Sequence, residues 1–201
     1  MNLFKNKYRI ESTRLKNYDY SGVGSYFITI CTKNKQNYFG YVVDGEMQLS
    51  QIGQIADQCW NEIPKHFPFV LLDEYVVMPN HVHGILIVNG NINDHRVETQ
   101  NFASLHGHTN TSQCQQNTAN KFGPQSMNLA SIVRGYKIGV KKWATINNVD
   151  FLWQPRFYEN IIRNENSLQK IRQYIIENPI KYNPENFEMD MIDLGSLVTI
   201  Q

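Results

Sequence analysis

Residues 26–32 (Y-F-I-T-I-C-T) are β-branched or aromatic at nearly every position, the pattern of a strand partly buried on both faces. Tyr38 to Val43 and Glu46 to Leu49 flank Asp44-Gly45, a dipeptide suited to a tight turn, and predict a short hairpin. Ser50 then caps a predicted helix to about Ile63, with Ile52, Ile55, Ala56, Cys59 and Trp60 on one stripe and Pro64 as its stop. Two apolar runs follow, Val70 to Met78 and His81 to Val88, separated by the turn dipeptide Pro79-Asn80. From Asn89 to Met127 the period vanishes into Asn, Gln, Ser and Thr, which predicts a flexible insertion or linker. The helical period returns at Asn128. Leu129, Ile132, Val133, Tyr136, Val140 and Trp143 share a stripe, and Arg134, Lys137 and Lys141 line an adjacent face. Phe157 to Ile162 reads as a strand, and Asn166 or Ser167 caps a last helix through Glu177, stopped by Pro179.

Without the small hairpin the order is β-α-β-β-α-β plus a C-terminal helix. This is the ferredoxin-like α+β order, an antiparallel sheet with helices packed on it. The whole chain, 1–201, reads as a single domain interrupted by the polar stretch at 89–127. At 41% hydrophobic and 18% charged, the composition excludes a disordered chain or a coiled coil. No apolar run reaches the roughly 18 residues of a membrane span. The basic N-terminus lacks an apolar segment, and three cysteines without a C-x-x-C pair point to a reducing, cytoplasmic setting. The net charge of +1 conceals a strong alternation: residues 1–40 carry +5, 41–88 carry −5, 121–172 carry +6 and the tail from 173 carries −4. Two basic blocks fit a polyanion-binding surface assembled from distant parts of the chain, or simply solvated faces.

Candidate chemistry is concentrated at two places. His81 and His83 alternate with Val82 at the start of a strand, so both rings project from one face, roughly 6.6 Å apart along the backbone. Such a pair can ligate one divalent metal, or it can merely begin a strand. His106-Gly107-His108 has the same spacing but lies in the polar insertion with nothing to hold it; with His95 and Cys114 nearby it offers at most adventitious zinc binding. On the last helix Tyr174 and Asn178 are i, i+4 and share a face. Leu168, Ile171 and Ile175 already form the apolar stripe there, which leaves the phenol in a polar setting between Lys170 and Asn178.

These residues carry a resemblance. Y-V-V-M-P-N-H-V-H-G over 75–84 resembles the signature of the HUH-type single-tyrosine transposases. W-Q-P-R-F over 153–157, followed by Y-I-I-E-N-P over 174–179, is similar to their REP-associated tyrosine transposase branch, which Tyr20, Gly22 and Tyr26 to Thr29 also fit. The likeness covers about residues 18–88 and 128–182.

The resemblance implies a ferredoxin-like domain with an extra helix carrying the nucleophile. By position it makes His81, His83 and Asn178 ligands for Mg²⁺ or Mn²⁺ and Tyr174 the nucleophile. The implied function is that of a metal-dependent single-strand DNA endonuclease and strand transferase working through a 5′-phosphotyrosine intermediate. Arg134, Lys137, Lys141 and Lys142 would contact phosphates, and Lys170 a phosphate or the phenolate. The implied partner is single-stranded DNA with hairpin or repeat ends; no membrane is involved, and the protein is a monomer or homodimer. Tyr158, on a predicted strand, is the second-ranked nucleophile. The alternative readings are an HUH replication initiator or relaxase, and a DNA-binding protein that has lost catalysis.

Overall fold

A computed structural model describes residues 23–89 and 128–183. Most of the polar insertion, with His95, His106, His108 and Cys114, lies outside the described residues, as do the acidic tail and Tyr20 and Gly22.

Strand β1 (Gly24–Cys31) leads into a hairpin, β2 (Gly40–Val43) and β3 (Glu46–Leu49). Asp44 and Gly45 both take positive φ in its turn (51° and 78°), the backbone that a two-residue hairpin of this type needs. Helix α1 (Gln51–Asn61) starts where Ser50 accepts a hydrogen bond from the Gly53 amide. It ends two residues before the expected Ile63, and a separate turn, α2 (Ile63–His66), begins there. Pro64 falls in the first turn of α2, where its missing N–H costs nothing. Strands β4 (Val70–Met78) and β5 (His81–Val88) match the two apolar runs.

Helix α3 (Leu129–Ile146) opens on a capping box between Asn128 and Ser131. After β6 (Tyr158–Ile162) comes α4 (Glu165–Lys181). It differs from expectation at both ends. The cap is Asn164, whose side chain accepts from the Ser167 amide, and the helix runs through Pro179 to Lys181. A proline in the last turn removes one hydrogen bond and leaves the remaining ladder intact.

The four core strands are ordered β4-β5-β1-β6, each pair antiparallel. This is the ferredoxin-like arrangement expected from the element order. Alternation along the strands decides what each face carries. Tyr26, Ile28 and Ile30 of β1 and Val82, Leu86 and Val88 of β5 join α1 and α3 in the main core around Trp60. Phe27 and Ile85 point to the other face, against Ile162 and against Ile171 and Ile175 of α4. The glycine after the histidine pair has a packing cause: a Cβ on Gly84 would sit 2.2 Å from the Trp60 ring. No helix among the described residues is long and apolar enough to cross a membrane.

Candidate active site

β5 is an interior strand, so its first turn of side chains is fully enclosed: His81 and His83 are each 1% exposed. Their rings lie 4.4 Å apart between centroids on the α4 face of the sheet. Each ring is oriented by a neighbour. The Asn80 side chain donates to the Lys35 carbonyl, which turns its oxygen towards His81; Nδ1–H of His81 then donates to that oxygen at 2.6 Å. His83 Nδ1 lies 2.8 Å from the hydroxyl of Thr29, its cross-strand partner, and the ring stacks on Phe27. The Asn80 oxygen can only accept, so His81 carries its proton on Nδ1, whereas both ring nitrogens of His83 face hydroxyls, of Thr29 and Tyr174, that can donate or accept. Burial, reinforced by His83, holds the His81 imidazole well below its usual pKa against an opposing hydrogen bond from Asn178. Burial pushes His83 down to about 3. Both rings are therefore neutral at physiological pH, the form that binds metals.

Helix α4 lies across this pair. Ile171, Ile175 and Asn178 form its buried edge, and Tyr174 projects beside them. The Tyr174 hydroxyl is 3.2 Å from His83 Nε2, and its ring meets His83 and Phe27 edge-on. Asn178, one turn on, is 8% exposed and lies close enough to His81 to oppose the effect of burial on that imidazole. Past the helix end Tyr182 accepts a hydrogen bond from Asn80, so the last turn of α4 also touches the residue that orients His81. His81, His83, Tyr174 and Asn178 are thus brought together from two elements 91 residues apart, as the Tyr174–His83 contact measures.

Among the described residues no three His, Cys, Asp or Glu side chains converge. A metal here would draw on two imidazole nitrogens and an amide oxygen. Two buried neutral imidazoles, each held at Nδ1 by a neighbour, with the Asn178 amide beside His81, suit a divalent ion, since oriented second partners are what metal-binding histidines carry.

The rotation of α4 is set at the sheet edge. A bulge between Leu72 and Tyr75 interrupts the β4–β5 ladder. Within it Asp73 accepts two hydrogen bonds from Arg172, Nε at 2.8 Å and a terminal nitrogen at 2.6 Å. Arg172 holds the Asp73 carboxyl below the usual carboxylate range. A forked pair fixes direction as well as distance, which the smooth Ile171–Ile175 contact cannot do.

The proposed DNA contacts are not gathered on one surface. Lys170 is exposed on α4, and the other four belong to α3 across the sheet. Two of those four have internal partners. Lys137 donates to the carbonyls of Gln154 (2.8 Å) and Arg156 (2.6 Å), and Lys141 to that of Phe151 (2.6 Å). Burial also lowers the Lys137 ammonium to about 8. Their physical role is to bind the segment before β6 to α3, which leaves Arg134 and Lys142 as the exposed cations of that helix. Tyr158 is 46% exposed on β6, and its register opposite Thr29 puts it on the site face, two strands and roughly 10 Å from His83. Asn80, Thr29 and the Asp73–Arg172 pair escaped the sequence reading. Asn80 and Thr29 fall within the stretches that carry the resemblance, without a role there, and the Asp73–Arg172 pair left no trace.

Comparisons with known proteins bear on the fold. No protein-family model matches the chain. A protein of Haemophilus influenzae, described as uncharacterized, is 39% identical over 180 residues, covering 89% of this chain and 93% of that one. Among solved structures, that of a REP-associated tyrosine transposase bound to a REP hairpin is similar with a TM-score of 0.51 at 19% identity, covering 85% of this chain and 74% of that one. The chain therefore belongs to the same family as the Haemophilus influenzae protein, and its fold is that of a REP-associated tyrosine transposase.

Proposed function

We propose that this protein is a metal-dependent single-strand DNA endonuclease and strand transferase of transposase type, acting on hairpin-bearing DNA with Tyr174 as nucleophile. One observation carries the reading: the Tyr174 hydroxyl lies 3.2 Å from His83 Nε2 in an oriented histidine pair, on a helix that also brings Asn178 beside His81.

His81, His83 and Asn178 would hold Mg²⁺ or Mn²⁺. When bound, the ion would polarise the scissile phosphate and offset charge developing on its oxygens. Tyr174 Oη would attack phosphorus: the P–Oη bond forms, the P–O3′ bond breaks, and the departing 3′ oxygen takes up a proton. The products are a 5′-phosphotyrosine and a free 3′-hydroxyl, and the retained phosphoester bond allows rejoining. His83 is a poor resting place for the phenolic proton, since an imidazole pushed down to about 3 stays neutral at pH 7. That proton would leave through water. Asp73 and Arg172 would hold the helix so that Oη faces the phosphate, and Lys170, exposed one turn before Tyr174, is within the helix face that a phosphate would approach. The rest of the domain is expected to serve as a single scaffold for this site.

Cleavage of a hairpin-bearing single strand in Mn²⁺ tests the reading. His81→Ala or His83→Ala should each abolish cleavage and Mn²⁺ binding while the protein still binds DNA. Full cleavage by both variants would overturn it.

A further inference from the structure

On the face of the sheet away from the histidines, α3 and the segment before β6 enclose a groove of about 770 Å³. Its floor is apolar: Val133, Ile138, Trp153 and Phe157, with Ile138 and Ile146 respectively 42% and 68% exposed. Its rim carries Arg134, Lys142 and Arg156, and no Asp or Glu lines it. Among the described residues none of these three cations has a carboxylate partner. An open apolar floor ringed by uncompensated positive charge has no stabilising role in the fold itself. Exposing apolar surface and crowding cations both cost free energy.

The segment that forms one wall is held under strain. Arg156 has φ +67°, a conformation that a side chain with a Cβ disfavours by about 1–2 kcal/mol. Four hydrogen bonds from three side chains hold the segment in place. Lys137 donates to the Gln154 and Arg156 carbonyls, Lys141 donates to the Phe151 carbonyl, and the Trp153 indole donates to the Lys137 carbonyl at 3.0 Å. Two half-buried lysines are thus engaged in fixing a loop whose outcome is a guanidinium on the groove rim and an indole in its floor. Backbone strain that is over-determined in this way marks functional sites more often than neutral loops.

We infer that this groove binds unpaired nucleotides, with bases on the Trp153–Phe157 floor and phosphates on Arg134, Lys142 and Arg156. The inference rests on the DNA-processing reading and adds a second contact region to it, separated from the scissile site by the sheet. Charge and chemistry both favour this occupant. A nucleic acid supplies the anions that the rim lacks, and only an unpaired base can present an apolar face to the floor. In a duplex those faces are stacked out of reach, so the groove discriminates strandedness without reading sequence. A volume of this size falls in the range of ordinary small-ligand sites, enough for a short unpaired run.

Photo-crosslinking with a single-stranded oligonucleotide carrying 5-iododeoxyuridine, on the full-length chain, tests the proposal directly. Adducts mapped by mass spectrometry should fall within residues 130–157, and the same strand annealed into a duplex should give several-fold fewer. In parallel, Arg156→Gly relieves the strained φ, so its melting temperature should hold or rise. Combined with Arg134→Ala and Lys142→Ala, it should weaken single-strand binding at least about tenfold and reduce the salt slope by about 2, from three phosphate contacts at roughly 0.7 each. Adducts confined to other regions, equal binding by duplex, or an unchanged Kd and salt slope in the triple variant would each overturn the proposal. Displacement of the oligonucleotide by polyglutamate at lower concentration than by oligo(dT) would also overturn it, in favour of an acidic peptide. Cleavage by the unsubstituted protein without groove adducts would defeat this inference alone. Groove adducts without any cleavage in Mn²⁺ would defeat the catalytic reading alone.

Discussion

On one face of the sheet α1 and α3 bury Trp60, Tyr136, Leu129 and Tyr26, Ile28 and Ile30 of β1 in one continuous apolar cluster. On the other, Ile171 and Ile175 of α4 close a five-residue cluster with Phe27, Ile85 and Ile162, and polar, directional contacts stand beside it: Tyr174 to His83, Tyr182 to Asn80, Arg172 to Asp73. The contrast separates two tasks. Non-directional burial supplies most of the folding free energy and tolerates small shifts. Hydrogen bonds supply little net stability but fix angles and distances, which a reactive hydroxyl and a ligand set require.

Substitution on the two faces should therefore fail in different currencies. Trp60→Ala on the core face should cost about 3–5 kcal/mol in urea unfolding, since Trp60 is fully buried and seated against Gly84. Any residual folded protein should keep its Mn²⁺ affinity. A loss of stability below about 1 kcal/mol would show that the two faces do not divide the work in this way.

The Asp73–Arg172 pair should do the reverse. Asp73→Asn should cost about 1 kcal/mol or less, because Arg172 is half-buried at the sheet edge. It should nevertheless slow covalent adduct formation at least about tenfold at unchanged DNA affinity, as expected of lost alignment. The exchange Asp73→Arg with Arg172→Asp should restore much of that rate. The pair also has a pH signature. Its carboxyl titrates below the ordinary value, so the unfolded chain takes up the proton first. The contribution is full above about pH 4 and is lost as pH falls further, and Asp73→Asn should flatten that acid limb of the stability profile. An unchanged rate in Asp73→Asn would make the pair ornamental to the site.

The smallest effect is the most specific. The Tyr174 hydroxyl lies 3.2 Å from His83 Nε2. A metal bound there must displace that hydroxyl. Tyr174→Phe should accordingly bind Mn²⁺ more tightly, by about 2- to 10-fold for a hydrogen bond of ~0.5–1.5 kcal/mol, measured by electron paramagnetic resonance of free Mn²⁺. Equal or weaker binding would mean that the hydroxyl does not compete for the site.

Much of this architecture was legible in the chain because it depends on local pattern. The alternation in β5 placed His81 and His83 on one face, and the i, i+4 spacing placed Tyr174 beside Asn178. The element order was enough to give the ferredoxin-like sheet, since short antiparallel connections leave few alternatives. What stayed hidden depends on register and on contacts between distant elements. Thr29 reaches His83 only because β1 pairs with β5 in one register, and Asp73 reaches Arg172 only because of a bulge. Lys137 and Lys141 carry the same charge as Arg134 and Lys142 on one helix. Only the packing of residues 151–157 distinguishes the internally bonded pair from the exposed one.

The central claim is that the Tyr174 hydroxyl is the nucleophile, and one gel reads it. Labelled hairpin-bearing single-stranded DNA is incubated with protein and Mn²⁺ and resolved by denaturing electrophoresis. Tyr158 provides the internal control, a second tyrosine on the same face roughly two strands from His83. The unsubstituted protein and Tyr158→Phe should both yield a slow-migrating covalent protein–DNA species, and Tyr174→Phe should yield none while binding the DNA as tightly. A species that persists in Tyr174→Phe and disappears in Tyr158→Phe would contradict the account and move the nucleophile to β6.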